Sequence, residues 1–302
     1  MAGSAKDIDE IASVRALLAA EPRPVGWAAR RARLDAVGSA YGVADDIAFA
    51  PCALDGFQGE WSLAPGSDPG KVLLFFHGGG YCSGSLDSHR SMVSEVGRAA
   101  GVRTLAIAYR LAPEQPFPAA LDDALAACFF LMEQGIPARH IALGGDSAGG
   151  GIALSTLSSL RAAQRPLPGA AWLASPWVDL TMSGASMDGK DAADPLIHRA
   201  YLEELAGAYL AGSSPTEPRA SPLFADLAGL PPVLVQVGSD ETLLDDAVRV
   251  AGRLGAAEVA VTLEVWPHMI HAWHLWAARL EAGRRAIRSA GAFIAGHLSR
   301  AD

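Results

Sequence analysis

Eight short apolar segments, separated from the third onward mostly by helical patterns, most constrain how this chain can fold. They lie at residues 47–53, 59–64, 72–77, 104–109, 140–144, 170–175, 232–238 and 260–266. Strands that alternate with helices pair in parallel, because each helix carries the chain back to the start of the next strand. The pattern therefore predicts an α/β protein built on one largely parallel sheet.

The helical patterns lie near residues 88–100, 117–134, 148–164, 199–211, 244–255 and 272–298, and two further helical pieces between residues 8 and 40 precede the first strand. More than fifty residues separate the strand that ends at Pro176 from the strand that begins at Pro232. A plain crossover between strands needs far fewer residues. We therefore expect an insertion above the sheet in this interval.

Charge and cysteine content exclude several classes of function. The 302-residue chain has a formal net charge of −9, so it lacks the basic excess that binds nucleic acids and anionic membranes. We expect a neutral or cationic small substrate, no nucleic-acid partner and no stable membrane anchor. The cysteines, Cys52, Cys82 and Cys128, cannot all pair and show no CxxC spacing, and the N-terminus does not resemble a signal peptide. These features predict a cytoplasmic protein.

The stretch GGDSAGG at residues 144–150 has the G-x-S-x-G pattern of a nucleophile elbow. Gly145 and Gly149 flank Ser147 between a predicted strand and a predicted helix, which is the context that such an elbow requires. The serine hydroxyl would then stand exposed at the carboxyl edge of the sheet. Taken alone, the pentapeptide is equally compatible with an ordinary glycine-rich turn.

A second glycine-rich stretch, HGGG at residues 77–80, favours the catalytic interpretation. Glycine lets another group approach the main chain closely, and backbone amides can stabilise the anion of a tetrahedral intermediate. We expect the amides of Gly78, Gly79 and Ala148 to form this oxyanion hole. The two stretches together predict acyl transfer at Ser147.

Four segments, HGGGYCSGS, YRLAPEQPFPAALDD, GDSAGG and SPWVDL, stand in the order and spacing found in hormone-sensitive-lipase-like esterases. From about residue 40 to its end, the chain resembles this branch of the α/β-hydrolases. The resemblance implies an eight-stranded, mostly parallel sheet flanked by helices, with a cap formed by residues 1–45 and 181–215 and a core formed by residues 46–180 and 216–302. It also implies a serine carboxylesterase for short- to medium-chain acyl esters, without cofactor or metal ion.

The resemblance also implies a Ser/Asp/His triad, whose acid and base follow the serine. Asp240, the first carboxylate after the strand PPVLVQVG, matches the acid of the family. Asp245 and Asp246 are competitors, but their positions favour capping of the next helix. Asp146 and Glu241 are expected to hold the catalytic loops.

His271 is the expected base, because it precedes Ala272 and Trp273, a small and an aromatic residue, although the family more often has Gly and Phe there. His268 and His274 lie three residues away on either side, a spacing that also suggests zinc. No carboxylate or cysteine nearby completes a familiar ligand set, so we expect both to be surface or packing residues.

Two other functions use the same scaffold. A lactone hydrolase or an amide deacetylase would need the same triad, and the sequence does not show the leaving-group pocket. A non-catalytic small-molecule receptor is the alternative of another class, but such receptors have lost the base, and His271 is present. A homodimer is compatible with the sequence, which does not determine the oligomeric state.

Overall fold

The computed structural model describes residues 5–40 and 42–298. Residues 1–4 and 41 of the predicted cap and residues 299–302 of the predicted core lie outside the described part. In chain order the helices and strands are α1 (Ala5–Ala19), α2 (Trp27–Ser39), β1 (Ala48–Leu54), β2 (Phe57–Leu63), β3 (Asp68–Phe76), α3 (Leu86–Ala100), β4 (Val102–Ala108), α4 (Ala119–Glu133), β5 (Ile141–Asp146), α5 (Ala148–Ala162), β6 (Ala170–Ala174), α6 (Ser186–Gly189), α7 (Arg199–Leu210), β7 (Val233–Gly238), α8 (Leu244–Ala256), β8 (Val261–Trp266) and α9 (Glu281–Leu298).

The strands form one eight-stranded sheet in the order β1-β2-β4-β3-β5-β6-β7-β8. The hairpin β1–β2 and the pair β2–β4 are antiparallel, whereas every later pair is parallel. Each predicted apolar segment overlaps one of these strands. The prediction of an α/β fold with an eight-stranded, mostly parallel sheet is confirmed.

Helices cover both faces of the sheet. Apolar side chains of α4, α5 and α8 pack on one face, and those of α3 and α9 pack on the other. Every residue of β5, β6 and β7 is therefore buried, which explains why these strands are continuous apolar runs rather than alternating patterns. The central strands thus end in a well-packed edge, where their carboxyl ends can hold a site rigidly.

The predicted helix at 272–298 is wrong at its beginning. Residues Trp273–Trp276 form a short 3-10 turn, and the long helix α9 begins only at Glu281. Ala272 has a left-handed backbone with φ of 50°, which a continuous helix cannot contain. The tryptophans around it pack with Ile11 and Val14 of α1, so this segment is a buried loop beneath the N-terminal helix.

Two segments lie outside the regular alternation of strands and helices. The N-terminal helical pieces are α1 and α2, and the expected insertion between β6 and β7 contains α6 and α7. No helix within residues 5–40 or 42–298 combines the length and the apolar character needed to cross a membrane.

The start of α5 packs directly against the end of β3. A Cβ atom on Gly149 would overlap the carbonyl oxygen of Phe76, and one on Gly145 would overlap the carbonyl group of Gly149. The glycines of the G-x-S-x-G pattern are therefore required by close backbone contact. This contact fixes where the residue between them stands.

We predict that Gly149→Ala destabilises the protein by about 3 kcal/mol, because an added methyl group must displace packed backbone. Gly207→Ala in α7 is the matched control, since a Cβ there meets nothing within 4 Å, and alanine in an open helical position stabilises by about 0.5–1 kcal/mol. Urea unfolding of both variants measures the difference. Equal stability of the Gly149 variant and the wild type would contradict the packing argument.

Candidate active site

Ser147 occupies a strained turn between β5 and α5. Its backbone has φ of 53° and ψ of −120°, a conformation that costs free energy for any residue with a side chain. The Ser147 amide donates to Ala174 O at 2.9 Å, and Ser147 O accepts from the Trp177 amide at 2.9 Å. These bonds to the segment around the end of β6 hold the turn in place.

Ser147 lines a cavity of about 220 Å³. The core side of this cavity contains Ser147, His271 and the glycine loop after β3. The opposite side is formed by both segments that the sequence predicts as a cap, with apolar lining residues that include Leu18, Leu34, Val37, Leu196, Ile197, Leu202 and Leu205. Apolar side chains thus make up most of the lining, and polar groups reach it from both the core and the N-terminal segment.

His271 lies on the loop after β8, and its Nδ1 atom is 3.1 Å from Glu241 Oε2. The other carboxylate oxygen, Oε1, accepts from the Gly238 amide at 2.6 Å and from Ser175 Oγ at 2.7 Å. Ser175 Oγ in turn accepts from the Ala272 amide at 3.1 Å. Because the carboxylate accepts a hydrogen bond, Nδ1 carries the proton and Nε2 is left with its lone pair.

The prediction that Asp240 is the partner of this histidine is wrong. Asp240 Oδ2 accepts from Arg15 Nη2 at 2.8 Å, and its side chain is 26% exposed. Glu241 is fully buried beneath the same turn. The turn after β7 directs the Asp240 side chain outward to α1 and the Glu241 side chain inward to His271. The adjacent carboxylates in GSDE were the available signal, since either could reach the loop.

The environment of His271 sets the pKa of its imidazole. Burial alone lowers this pKa, but the hydrogen bond and charge of Glu241, together with the charges of Asp194 and Asp146, raise it above the ordinary value of 6.5. Burial raises the pKa of Glu241, while its donors at Gly238, Ser175 and His271 favour the ionised form. The pair therefore stabilises positive charge on the imidazole ring.

The prediction that the Gly78 amide belongs to the oxyanion hole is also wrong. Its amide donates to Asp146 Oδ1 at 2.9 Å, so it cannot serve a ligand in this arrangement. Gly79 and Gly80 instead line the cavity beside Ser147. No hydrogen bond within residues 5–40 and 42–298 uses the amide of Gly79, Gly80 or Ala148, and Ala148 begins α5, where amides have no partner inside the helix.

Asp146 holds the glycine loop, as expected for a supporting residue. Besides the Gly78 amide, it contacts His89 Nε2 at 3.1 Å, and both side chains are buried. Ser88 Oγ lies 2.7 Å from His89 Nδ1, which extends the network to the start of α3. Burial would raise the pKa of Asp146, but His89, His271 and the Gly78 amide lower it, so this carboxylate stays charged.

His77, His268 and His274 lie in different environments. His268 is exposed, and His274 is buried with Nε2 3.0 Å from Gln236 Oε1. His77 Nδ1 lies 2.8 Å from Gly78 O, and its ring stacks on Tyr109. Burial lowers the pKa of His77 and of His274 to about 3. Both rings are therefore neutral near pH 7.

The expected capping role of Asp245 and Asp246 is wrong. Asp246 Oδ2 accepts from the amides of Val178 and Asp179, both at 2.9 Å. Asp245 Oδ2 accepts from the amide of Ser186 at 2.9 Å. Both carboxylates therefore hold segments that follow β6 instead of the first turn of α8.

The comparisons with known proteins agree with this architecture. The α/β-hydrolase fold family matches residues 73–275. The chain belongs to this family. It is 49% identical over 235 residues to an acetyl-hydrolase of Streptomyces hygroscopicus, covering 78% of each chain, and 35% identical over 246 residues to an esterase of Acinetobacter venetianus, covering 80% of each.

A solved structure narrows the relationship within the α/β-hydrolases. The crystal structure of an esterase from the bacterial hormone-sensitive lipase family superposes with a TM-score of 0.94 at 42% identity. The match covers 99% of this chain and 100% of that one. The resemblance read from the four segments, HGGGYCSGS to SPWVDL, is confirmed: this α/β-hydrolase belongs to the hormone-sensitive-lipase branch.

We predict that Glu241→Gln lowers the pKa of His271 by about one unit or more, because it removes the adjacent negative charge. Titration of the His271 imidazole by NMR measures this shift. Asp240→Asn is the matched control and should leave the pKa near the wild-type value, since Asp240 bonds to Arg15. A shift in the Asp240 variant with none in the Glu241 variant would restore the original prediction.

Proposed function

We propose that this protein is a serine carboxylesterase that hydrolyses short- to medium-chain acyl esters through an acyl-enzyme intermediate. One observation carries the proposal: Ser147, on its strained turn, shares a cavity with a buried imidazole whose Nδ1 is bonded to Glu241. Relatives named as esterases and acetyl-hydrolases support it. The geometry of these groups supports the proposed role of each.

Acylation begins at the Ser147 hydroxyl. Its oxygen attacks the ester carbonyl, and His271 Nε2 takes its proton, while Glu241 holds the ring and balances the charge of the imidazolium. The amides of Gly79, Gly80 and Ala148 stabilise the developing oxyanion, and α5 directs its positive end to the same place. Protonated His271 then gives its proton to the departing alkoxide.

Deacylation repeats these steps with water as the nucleophile. His271 takes a proton from water, the hydroxide attacks the acyl group, and Ser147 leaves with the returned proton. The steps use side chains and backbone amides alone. Because His271 must be neutral to accept a proton and its pKa is raised above 6.5, kcat/KM falls as the pH drops through that raised value.

The substrate range follows from the cavity. We propose that residues 1–45 and 181–215 form a cap over the sheet edge, since Leu18 of α1 and Leu202 of α7 both line the chamber. A cap of this kind excludes water from the acyl group and limits its length. A volume of about 220 Å³ suits short and medium acyl chains.

We also propose a cytoplasmic location. Support comes from Cys52, Cys82 and Cys128, which are all buried thiols that form no disulfide. Burial raises the pKa of Cys82 to about 12, so its thiol stays protonated and unreactive near the glycine loop.

A homodimer stays a prediction.

We predict that Ser147→Ala loses about 10⁴-fold or more of kcat toward p-nitrophenyl butyrate while keeping its fold, because the nucleophile is gone. Ser158→Ala, at another buried serine of α5 that bonds only within the helix, should keep its activity. Circular dichroism checks folding, and an organophosphonate should label Ser147. A folded Ser147→Ala protein with wild-type turnover would disprove the proposal.

We predict that Leu18→Trp lowers kcat/KM for hexanoate relative to acetate esters by about tenfold, because the larger ring fills acyl space. Leu17→Trp is the matched control: Leu17 is the adjacent residue of α1, is 43% exposed and does not line the cavity. Its hexanoate-to-acetate ratio should equal that of the wild type. An unchanged ratio in the Leu18 variant would rule out α1 as a wall of the acyl pocket.

A further inference from the structure

Arginine side chains surround the cap side of the cavity, although the protein as a whole is acidic. Arg23, Arg30 and Arg33 all line the chamber. The first lies on the segment between α1 and α2, and the other two lie on α2. This local excess of cations is opposite in sign to the net charge of −9.

Two of these arginines are neutralised by carboxylates. Arg30 forms two parallel hydrogen bonds to Glu204, both at 2.9 Å. Arg33 forms an ion pair with Glu21. Both guanidinium groups are therefore already paired within the proposed cap, and a ligand would have to compete with Glu204 or Glu21 for them.

Arg23 differs, because no carboxylate within residues 5–40 and 42–298 forms an ion pair with it. Its guanidinium lies 3.8 Å from the centroid of the Tyr201 ring and donates to Leu196 O. Arg30 is 5.2 Å from the same ring, close enough for mutual repulsion. Burial and the Arg30 charge lower the pKa of Arg23, while the charges of Tyr201, Asp194 and Glu204 oppose this shift. An arginine stays protonated at neutral pH. A partly exposed cation with no directly bonded carboxylate among the described residues thus lines the cavity.

We infer that the substrates of this site carry an anionic group away from the scissile carbonyl, a carboxylate or a phosphate, and that Arg23 binds it. This inference rests on the proposed function. The guanidinium has five N–H donors in a planar fork, and Leu196 O occupies only part of it. A carboxylate or phosphate would accept the remaining donors and place a negative charge directly against the guanidinium.

Because of its location, Arg23 should determine which esters bind and should take no part in the chemical steps. It lies on the cap, whereas Ser147 and His271 lie at the edge of the sheet. An acidic protein repels anions at long range, and a cation in the cavity lining opposes this repulsion close to the site. This inference differs from the expectation of a neutral or cationic substrate, which came from net charge and stays a prediction.

The test compares pairs of esters in which an anionic end group replaces a neutral one on the same carbon skeleton. Monomethyl adipate is paired with methyl hexanoate, and 2-acetoxyethyl phosphate is paired with 2-methoxyethyl acetate. For each pair, the ratio of kcat/KM for the anionic ester to that for the neutral ester is measured in the wild type and in Arg23→Gln. The first pair probes a carboxylate on the acyl side, and the second probes a phosphate on the alcohol side.

In Arg23→Gln we expect at least one ratio to fall about tenfold, as for loss of a charged hydrogen bond. Arg23→Lys should keep part of the wild-type preference for the anionic ester. The matched control is Arg165→Gln, because Arg165 also lies over an aromatic ring, 5.1 Å from the centroid of Phe129, and does not line the cavity. Its ratios should equal those of the wild type. A fall in one pair only shows which of the two combinations, a carboxylate on the acyl side or a phosphate on the alcohol side, Arg23 binds.

A binding measurement separates this inference from the proposed function. Isothermal titration of the Ser147→Ala protein measures its affinity for monomethyl adipate and for 2-acetoxyethyl phosphate without turnover. In the double variant that also carries Arg23→Gln, at least one of these affinities should be about tenfold weaker. Wild-type ratios and wild-type affinities in Arg23→Gln would overturn the inference and leave ester hydrolysis standing. Failure of the wild type to hydrolyse the neutral esters would instead count against the proposed function.

Discussion

The buried carboxylate of Glu241 is the interaction on which the site depends. It joins three strand ends, because Ser175 follows β6, Gly238 ends β7 and His271 follows β8. An isolated buried charge is costly, whereas one with good donors on both oxygens is tolerated and holds its partners in a single geometry. The position of the imidazole in the cavity follows from this bonding.

The two segments of the proposed cap are attached to the same region of the core. Arg15 of α1 bonds to Ala193 O at 2.6 Å and to Asp240 at 2.8 Å, so it connects the N-terminal helix, the insertion and the turn that carries Glu241. Asp194 adds a link, accepting from the Thr242 amide at 3.0 Å. The N-terminal helix, the insertion and the turn with Glu241 therefore share one support, and Asp240 belongs to this attachment.

The net charge of the chain differs from the charge that a ligand meets in the cavity. The sum of −9 describes the field far from the protein, but a ligand in the chamber meets only the groups within a few ångströms, since water and salt screen the rest. Arg23 is one of 24 lysine and arginine residues, and its proposed importance comes from its place beside Tyr201 in the cavity lining. Such a place is set by packing between the N-terminal segment and α7.

The sequence by itself determined the sheet, the elbow at Ser147, the glycine loop and the base candidate His271, because periodicity, glycine placement and local motif order are written along the chain. It could not decide between Asp240 and Glu241, since neighbouring side chains leave a turn in opposite directions and only packing shows which one faces His271. Nor could it show that the Gly78 amide is occupied, because its acceptor, Asp146, lies 68 residues away. Directions of side chains and amides at loop ends depend on distant partners, and the tertiary structure alone brings those partners together.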